Sequence, residues 1–180
     1  MNMTKKHSGF SLVELVIVII IIGILAAVGI GFGNKQLANA RVTTVGNNVK
    51  MVASDMESAI IDLGFLEDVS DVETVKNYFA RWDSTYLTCA IDVENIELVA
   101  ADDAFGSNYS GAKIQTVGYQ DSWGMEYRIF YLIPEDKENT PYRIIIASAG
   151  PNSIFSEDAE TGYVNKMFDD DIVMIMEPKD

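Results

Sequence analysis

Gly9-Phe10-Ser11-Leu12-Val13-Glu14-Leu15, running on into Val16-Ile17-Val18-Ile19-Ile20-Ile21-Ile22, decides how the rest of this 180-residue chain is read. A short polar segment carrying Lys5, Lys6 and His7 ends at Gly9, and from Leu15 to Asn34 no residue is charged. As a helix rising ~1.5 Å per residue, that stretch covers roughly 30 Å, the thickness of a bilayer's hydrocarbon core. The basic flank predicts an amino terminus in the cytoplasm and the bulk of the chain outside. A secretory signal cut after Ala26-Ala27 and a plain signal anchor both suit the apolar run. Glu14 suits neither. A carboxylate within a spanning helix costs on the order of 2.5–3.5 kcal/mol, so it is expected to have a partner and a task.

Lys5-Lys6-His7-Ser8-Gly9-Phe10-Ser11-Leu12-Val13-Glu14-Leu15 resembles the class III leader and cleavage site of type IV pilins and of the pseudopilins of type II secretion. The resemblance implies that prepilin peptidase removes residues 1–9, cutting between Gly9 and Phe10, and methylates the new amino group of Phe10. It implies that Glu14 acts in assembly by neutralising the Phe10 ammonium of a neighbouring subunit, an attraction strengthened by low-dielectric surroundings. The partners implied are copies of this chain, other pilins or pseudopilins, the peptidase and a membrane assembly platform. The chain would cross the inner membrane once with an extracytoplasmic head, then enter a periplasmic or extracellular filament. Many members of this family carry a proline in the apolar segment; here Gly29, Gly31 and Gly33 stand nearby. Each glycine weakens a helix by ~1 kcal/mol relative to alanine, which points to local loosening, and small residues equally suit close helix packing.

Beyond Asn34 the apolar residues become periodic. Val42, Val45, Val49, Val52, Met56, Ile60 and Leu63 draw one stripe at three- and four-residue spacing, with Lys35, Arg41, Lys50, Asp55 and Glu57 off it. Gly64 suits a C-cap. The chain therefore divides into a leader (1–9), a transmembrane or filament-core helix (10–34), an amphipathic helix packed on a head (35–64) and a globular extracytoplasmic head (65–180). A hinge at the glycines, separating two helices, is the alternative to one helix from Phe10 to Leu63.

In the head, Ser70-Asp71-Val72-Glu73 reads as a capping box opening a helix with Val75, Tyr78, Phe79 and Trp82 on its packing face. Strand-like runs follow at 86–91, 96–100, 113–118, 127–133, 142–147 and 172–176, with 101–111 read as a loop and 134–141 as a hairpin tip. The expected class is α+β, a long helix on a small antiparallel sheet in a type IV pilin-like fold. Cys89, the only cysteine, excludes an internal disulfide and reads as a buried, inert thiol. With 27 acids against 13 Lys and Arg, the net charge of −14 argues against nucleic acid as a direct partner.

Asp121-Ser122-Trp123-Gly124, Ser148-Ala149-Gly150-Pro151-Asn152 and Asp169-Asp170-Asp171-Ile172 resemble the carboxy-terminal region of major pseudopilins, whose loop there binds calcium. Carried over, the resemblance places Ca2+ on Asn152, Asp170 and the carbonyls of Ala149 and Ile154, with Asp169 or Asp171 assisting. Asn152 stands where the family has aspartate and Ser153 where it has glycine, which removes one charge from the site. The other reading is a loop held by its own turns. The only histidine is His7, and no phosphate loop, nucleophile elbow or zinc spacing occurs, so catalysis is not expected. The leading reading is a structural subunit of a pilus-like or pseudopilus filament. A non-polymerising membrane-anchored binding module and a minor adhesive pilin are the alternatives.

Overall fold

The computed structural model describes residues 10–82, 85–99, 108–153, 155 and 172–177. The leader, most of the 101–111 loop, Ile154 and Asp169–Asp171 lie outside the described residues. Helix α1 spans Leu12–Leu63. Residues up to Ala40 form one compact unit and those from Arg41 onward a second.

In the first unit α1 is helical through Gly29–Gly33, so the loosening expected there is not seen. A Cβ added at Gly29 or Gly33 would meet nothing within 4 Å, so none of the described residues packs against them. Helix propagation, one hydrogen bond per residue fixed, outweighs the scattered glycine penalty.

In the second unit, Val45, Val49, Val52, Met56 and Ile60 of α1 are buried in the main core while Val42 remains exposed. Gly64 ends the helix with φ +78, its N–H returning to the Ile60 carbonyl at 2.8 Å. Helix α2 spans Val72–Phe79 and is capped by Asp71, whose carboxylate accepts from the Thr74 N–H at 2.9 Å. Ser70 is therefore not the cap. Its own N–H and hydroxyl are taken by Asp68, at 2.8 and 3.0 Å, which shifts the helix start by one residue.

The strands are β1 (Ala90–Ile91), β2 (Glu97–Val99), β3 (Tyr109–Gln120), β4 (Glu126–Pro134), β5 (Arg143–Ser148) and β6 (Ile172–Met176). They form one antiparallel sheet in the order β1-β3-β4-β5-β6, with β2 also on β3. Tyr86–Cys89 stays out of the sheet because Thr88 is drawn to α1: its N–H and hydroxyl both donate to Asp55, the former at 2.8 Å. Conversely, Tyr109–Gly111, expected as loop, belongs to β3. Gly111 is there for close approach, since a Cβ would lie 2.2 Å from the Tyr131 carbonyl oxygen.

The pleat sorts the side chains. Tyr127, Ile129, Tyr131 and Ile133 of β4 join Ile144 and Ile146 of β5 in the core that also holds the α1 stripe. Phe130, Leu132 and Ile145, one residue out of phase, form a second cluster with Tyr109. Two tyrosines pin the chain as it leaves α1: Tyr78 Oη donates to the Gly64 carbonyl at 2.6 Å, and Tyr131 Oη accepts from the Leu66 N–H at 2.9 Å.

Candidate functional site

Two places hold the residues singled out in the sequence. The first is the start of α1. The Glu14 N–H donates to Ser11 Oγ and the Ser11 N–H donates to Glu14 Oε2, both at 3.3 Å. This is a reciprocal capping box, which satisfies two amides that the first helical turn leaves without partners. Glu14 thus has a local task, and the Ser-x-x-Glu spacing that signals it is present in the sequence though it was not part of the reading above. The negative charge also lies at the positive end of the helix dipole. Around it the surface is apolar and open: Phe10 is 78% exposed, Leu12 79% and Ile24 60%. The helix is long and apolar enough to cross a membrane. An exposed apolar surface of this extent is incompatible with an isolated chain in water and calls for lipid or other helices around it.

The second place joins β3, β4 and β5. Asp121 is buried and its carboxylate accepts three hydrogen bonds: from the N–H groups of Trp123 and Met125, both at 2.9 Å, and from Ser148 Oγ at 2.6 Å. Gly124, with φ +90, turns the chain between them. Ser148 Oγ in turn accepts from the Gly150 N–H at 3.2 Å. The Asp-x-Trp-Gly turn and the segment Ser148–Asn152 are therefore one hydrogen-bonded assembly. Its donors leave Asp121 committed to structure, not to a ligand. A short 3-10 turn follows at Gly150–Asn152, and Ser153 ends it in the left-handed region at φ 57. Ser153 thus adopts a backbone region that favours glycine.

The comparisons with known proteins bear on the first place directly and on the chain as a whole. A family model described as the prokaryotic N-terminal methylation motif matches residues 4–30. The type II secretion system core protein G of Vibrio cholerae is 27% identical over 139 residues, 76% of this chain and 78% of its own length. Its namesake in Escherichia coli K12 is 26% identical over 154 residues, 84% and 87% of the two chains. A fimbrial protein of Pseudomonas aeruginosa is 41% identical over 58 residues, 32% of this chain and 38% of its own. No solved structure matches. The motif and these likenesses support the type IV pilin and pseudopilin family for this chain.

They support reading this pilin-like chain as a structural subunit that assembles with other pilins, and not as an enzyme. Cys89 agrees with that inert character: it is buried, and burial, followed by the charge of Asp55, pushes its thiol up to about 11. Of the residues implied as calcium ligands, Ala149 is buried just before the turn that Ser148 anchors, and Asn152 is exposed as its last residue. A carbonyl and an amide oxygen fit the oxygen preference of Ca2+ but bring no charge. Ile154, Asp169, Asp170 and Asp171 lie outside the described residues. Among the described residues no group of three or more His, Cys, Asp or Glu is placed to hold a metal.

Proposed function

We propose that this subunit is made as a precursor, cut between Gly9 and Phe10 by prepilin peptidase and methylated on the Phe10 amine. It then stands in the inner membrane with its amino terminus in the cytoplasm and its head outside. An assembly platform draws it from there into a pseudopilus-like filament. The observation that carries this reading is Glu14, the only acid between Phe10 and Ser54, set on the first turn of a helix whose apolar side chains are exposed. Once the leader is gone, the new Phe10 ammonium of one copy and Glu14 of another are opposite charges in apolar surroundings, where their attraction is far stronger than in water. Of the two machines, secretion is favoured over a pilus. The relatives named for type II secretion align with head as well as helix, whereas the fimbrial protein aligns over 58 residues.

The test is the intact mass of the chain from membranes or sheared filaments, with Gly9 native and replaced. A mass beginning at Phe10 with one added methyl, lost when Gly9 is changed, supports the reading. A mass beginning at Met1 or after Ala27 removes it and leaves an anchored module or a secreted domain. We further propose that Asn152, the carbonyls of Ala149 and Ile154, and Asp169–Asp171 hold Ca2+, which would tie the 3-10 turn to the start of β6. If so, EGTA lowers the melting temperature of the native chain and has no effect on Asp170→Ala. Equal melting with and without EGTA overturns the calcium reading alone.

A further inference from the structure

Charge is segregated along this chain. From Leu15 to Ser54 there is no acid, while Lys35, Arg41 and Lys50 are present; from Met51 onward 26 acids face eight Lys and Arg. From Met51 onward the described cations are, Arg81 apart, already engaged. Lys76 pairs with Glu94 at 3.6 Å, Lys113 with Glu97 at 2.5 Å and Arg143 with Glu177 at 2.9 Å. Lys137 Nζ donates to the Glu67 carbonyl at 2.7 Å, and Arg128 lies over the Phe155 ring at 4.0 Å. The side chains of Arg41 and Lys50 are exposed and have no ion pair among the described residues. Glu57 and Glu177 face the groove that Lys50 lines, yet neither brings an oxygen within 4.0 Å of it.

A group of exposed acids lies at the other end of the same unit. Arg41 is 22 residues before Leu63, roughly 33 Å along α1. Just beyond Leu63 come Glu67, Asp68, Asp71 and Glu73, and the Lys137 bond to Glu67 sets Asp136 and Glu138 of the β4–β5 hairpin beside them. All six are exposed. Asp68 and Asp71 are held below the ordinary carboxylate range, by the Ser70 N–H and the Thr74 hydroxyl respectively, so they remain ionised. The side chains of Glu67, Glu73 and Glu138 make no bond within the chain among the described residues. One unit is thus positive at Arg41 and Lys50 and negative a helix length away.

We infer that Arg41 and Lys50 are a docking surface for a second copy of this chain, which presents its acidic end around Glu67, Glu73 and Glu138. The inference rests on the filament reading above and names the contact that orders its heads. A positive end that accepts a negative end from another copy is a heterologous, head-to-tail contact, and such contacts propagate into open helical arrays instead of closing into dimers. Arg41 and Lys50 are nine residues apart, on opposite sides of α1 at 100° per residue. The positive charge is therefore a collar, accessible to neighbours on more than one side.

The experiment uses the full chain with buried Cys89 left in place. Asn47→Cys, beside Lys50, and Ser70→Cys, between Glu67 and Glu73, are made in separate copies and expressed together in cells that assemble the filament. Oxidation is expected to join the two kinds of copy, with little joining when either is expressed alone. Adding Arg41→Glu and Lys50→Glu to the first copy should cut the yield roughly tenfold, and adding Glu67→Lys and Glu73→Lys to the second should restore it. Joining that persists unchanged after reversal of Arg41 and Lys50, or filaments that form without the joined product, overturns the inference and leaves the filament reading standing. A native chain that yields neither filaments nor joined product overturns both.

Discussion

Asp121 shows how much of this head depends on one side chain. Its buried carboxylate receives two backbone N–H groups from its own turn and the Ser148 hydroxyl from β5. Asp121→Asn keeps the size but replaces a charged acceptor with a neutral one, and turns an NH2 toward donors. Hydrogen bonds to charged groups contribute ~1.5–3 kcal/mol each, so a loss of that order in unfolding free energy is expected from denaturant titration. Ser153 predicts the opposite sign. At φ 57 it occupies a backbone region that costs an L residue roughly 1 kcal/mol and costs glycine nothing. Ser153→Gly should raise the melting point slightly or leave it unchanged, despite the greater freedom of the unfolded chain. A clear fall would mean that the serine hydroxyl has a partner that outweighs the strain.

At the scale of elements, periodicity and turn chemistry made much of the fold legible. The stripe from Val45 to Ile60 marks the buried side of α1, and Gly64 its end, because helical spacing and a left-handed terminus leave plain traces in sequence. What was misread depended on tertiary neighbours. Thr88 leaves the sheet for Asp55, 33 residues away, and Gly111 reads as a turn residue until β4 is known to press against it. At the candidate sites, Glu14 and the Asp-x-Trp-Gly turn were legible as motifs. The bond between Asp121 and Ser148 was not, since only the pairing of β4 with both β3 and β5 brings those residues together. The start of α2 carries a pH prediction. Asp71 is held below 3.8, first by the Thr74 hydroxyl and then by its N–H, so it favours the folded state when ionised. That contribution is present above the ordinary carboxylate pKa and is lost as pH falls through the lowered one. Melting points of the native chain should therefore fall more steeply below pH ~4 than those of Asp71→Ala, which starts lower.

For the whole molecule the decisive question is whether Glu14 serves the fold or the assembly, because the capping box gives it a fold role and the proposed function a filament role. The two are separable. Among the described residues its hydrogen bonds reach only Ser11, at the tip of the first unit, while the core cluster begins at Val45 in the second. Glu14→Gln retains an acceptor for the Ser11 N–H, so it should preserve the cap within the few tenths of a kcal/mol that separate good N3 residues, and it removes the charge. If Glu14 matters through its charge, the glutamine variant accumulates in the membrane, unfolds in detergent at the native temperature and fails to form filaments. Glu14→Asp, charged but one methylene shorter, should then recover part of the assembly. If the cap were the whole role, glutamine would assemble normally. Comparing the two variants by filament yield and by melting temperature therefore separates a residue that shapes one helix end from one that joins neighbouring subunits.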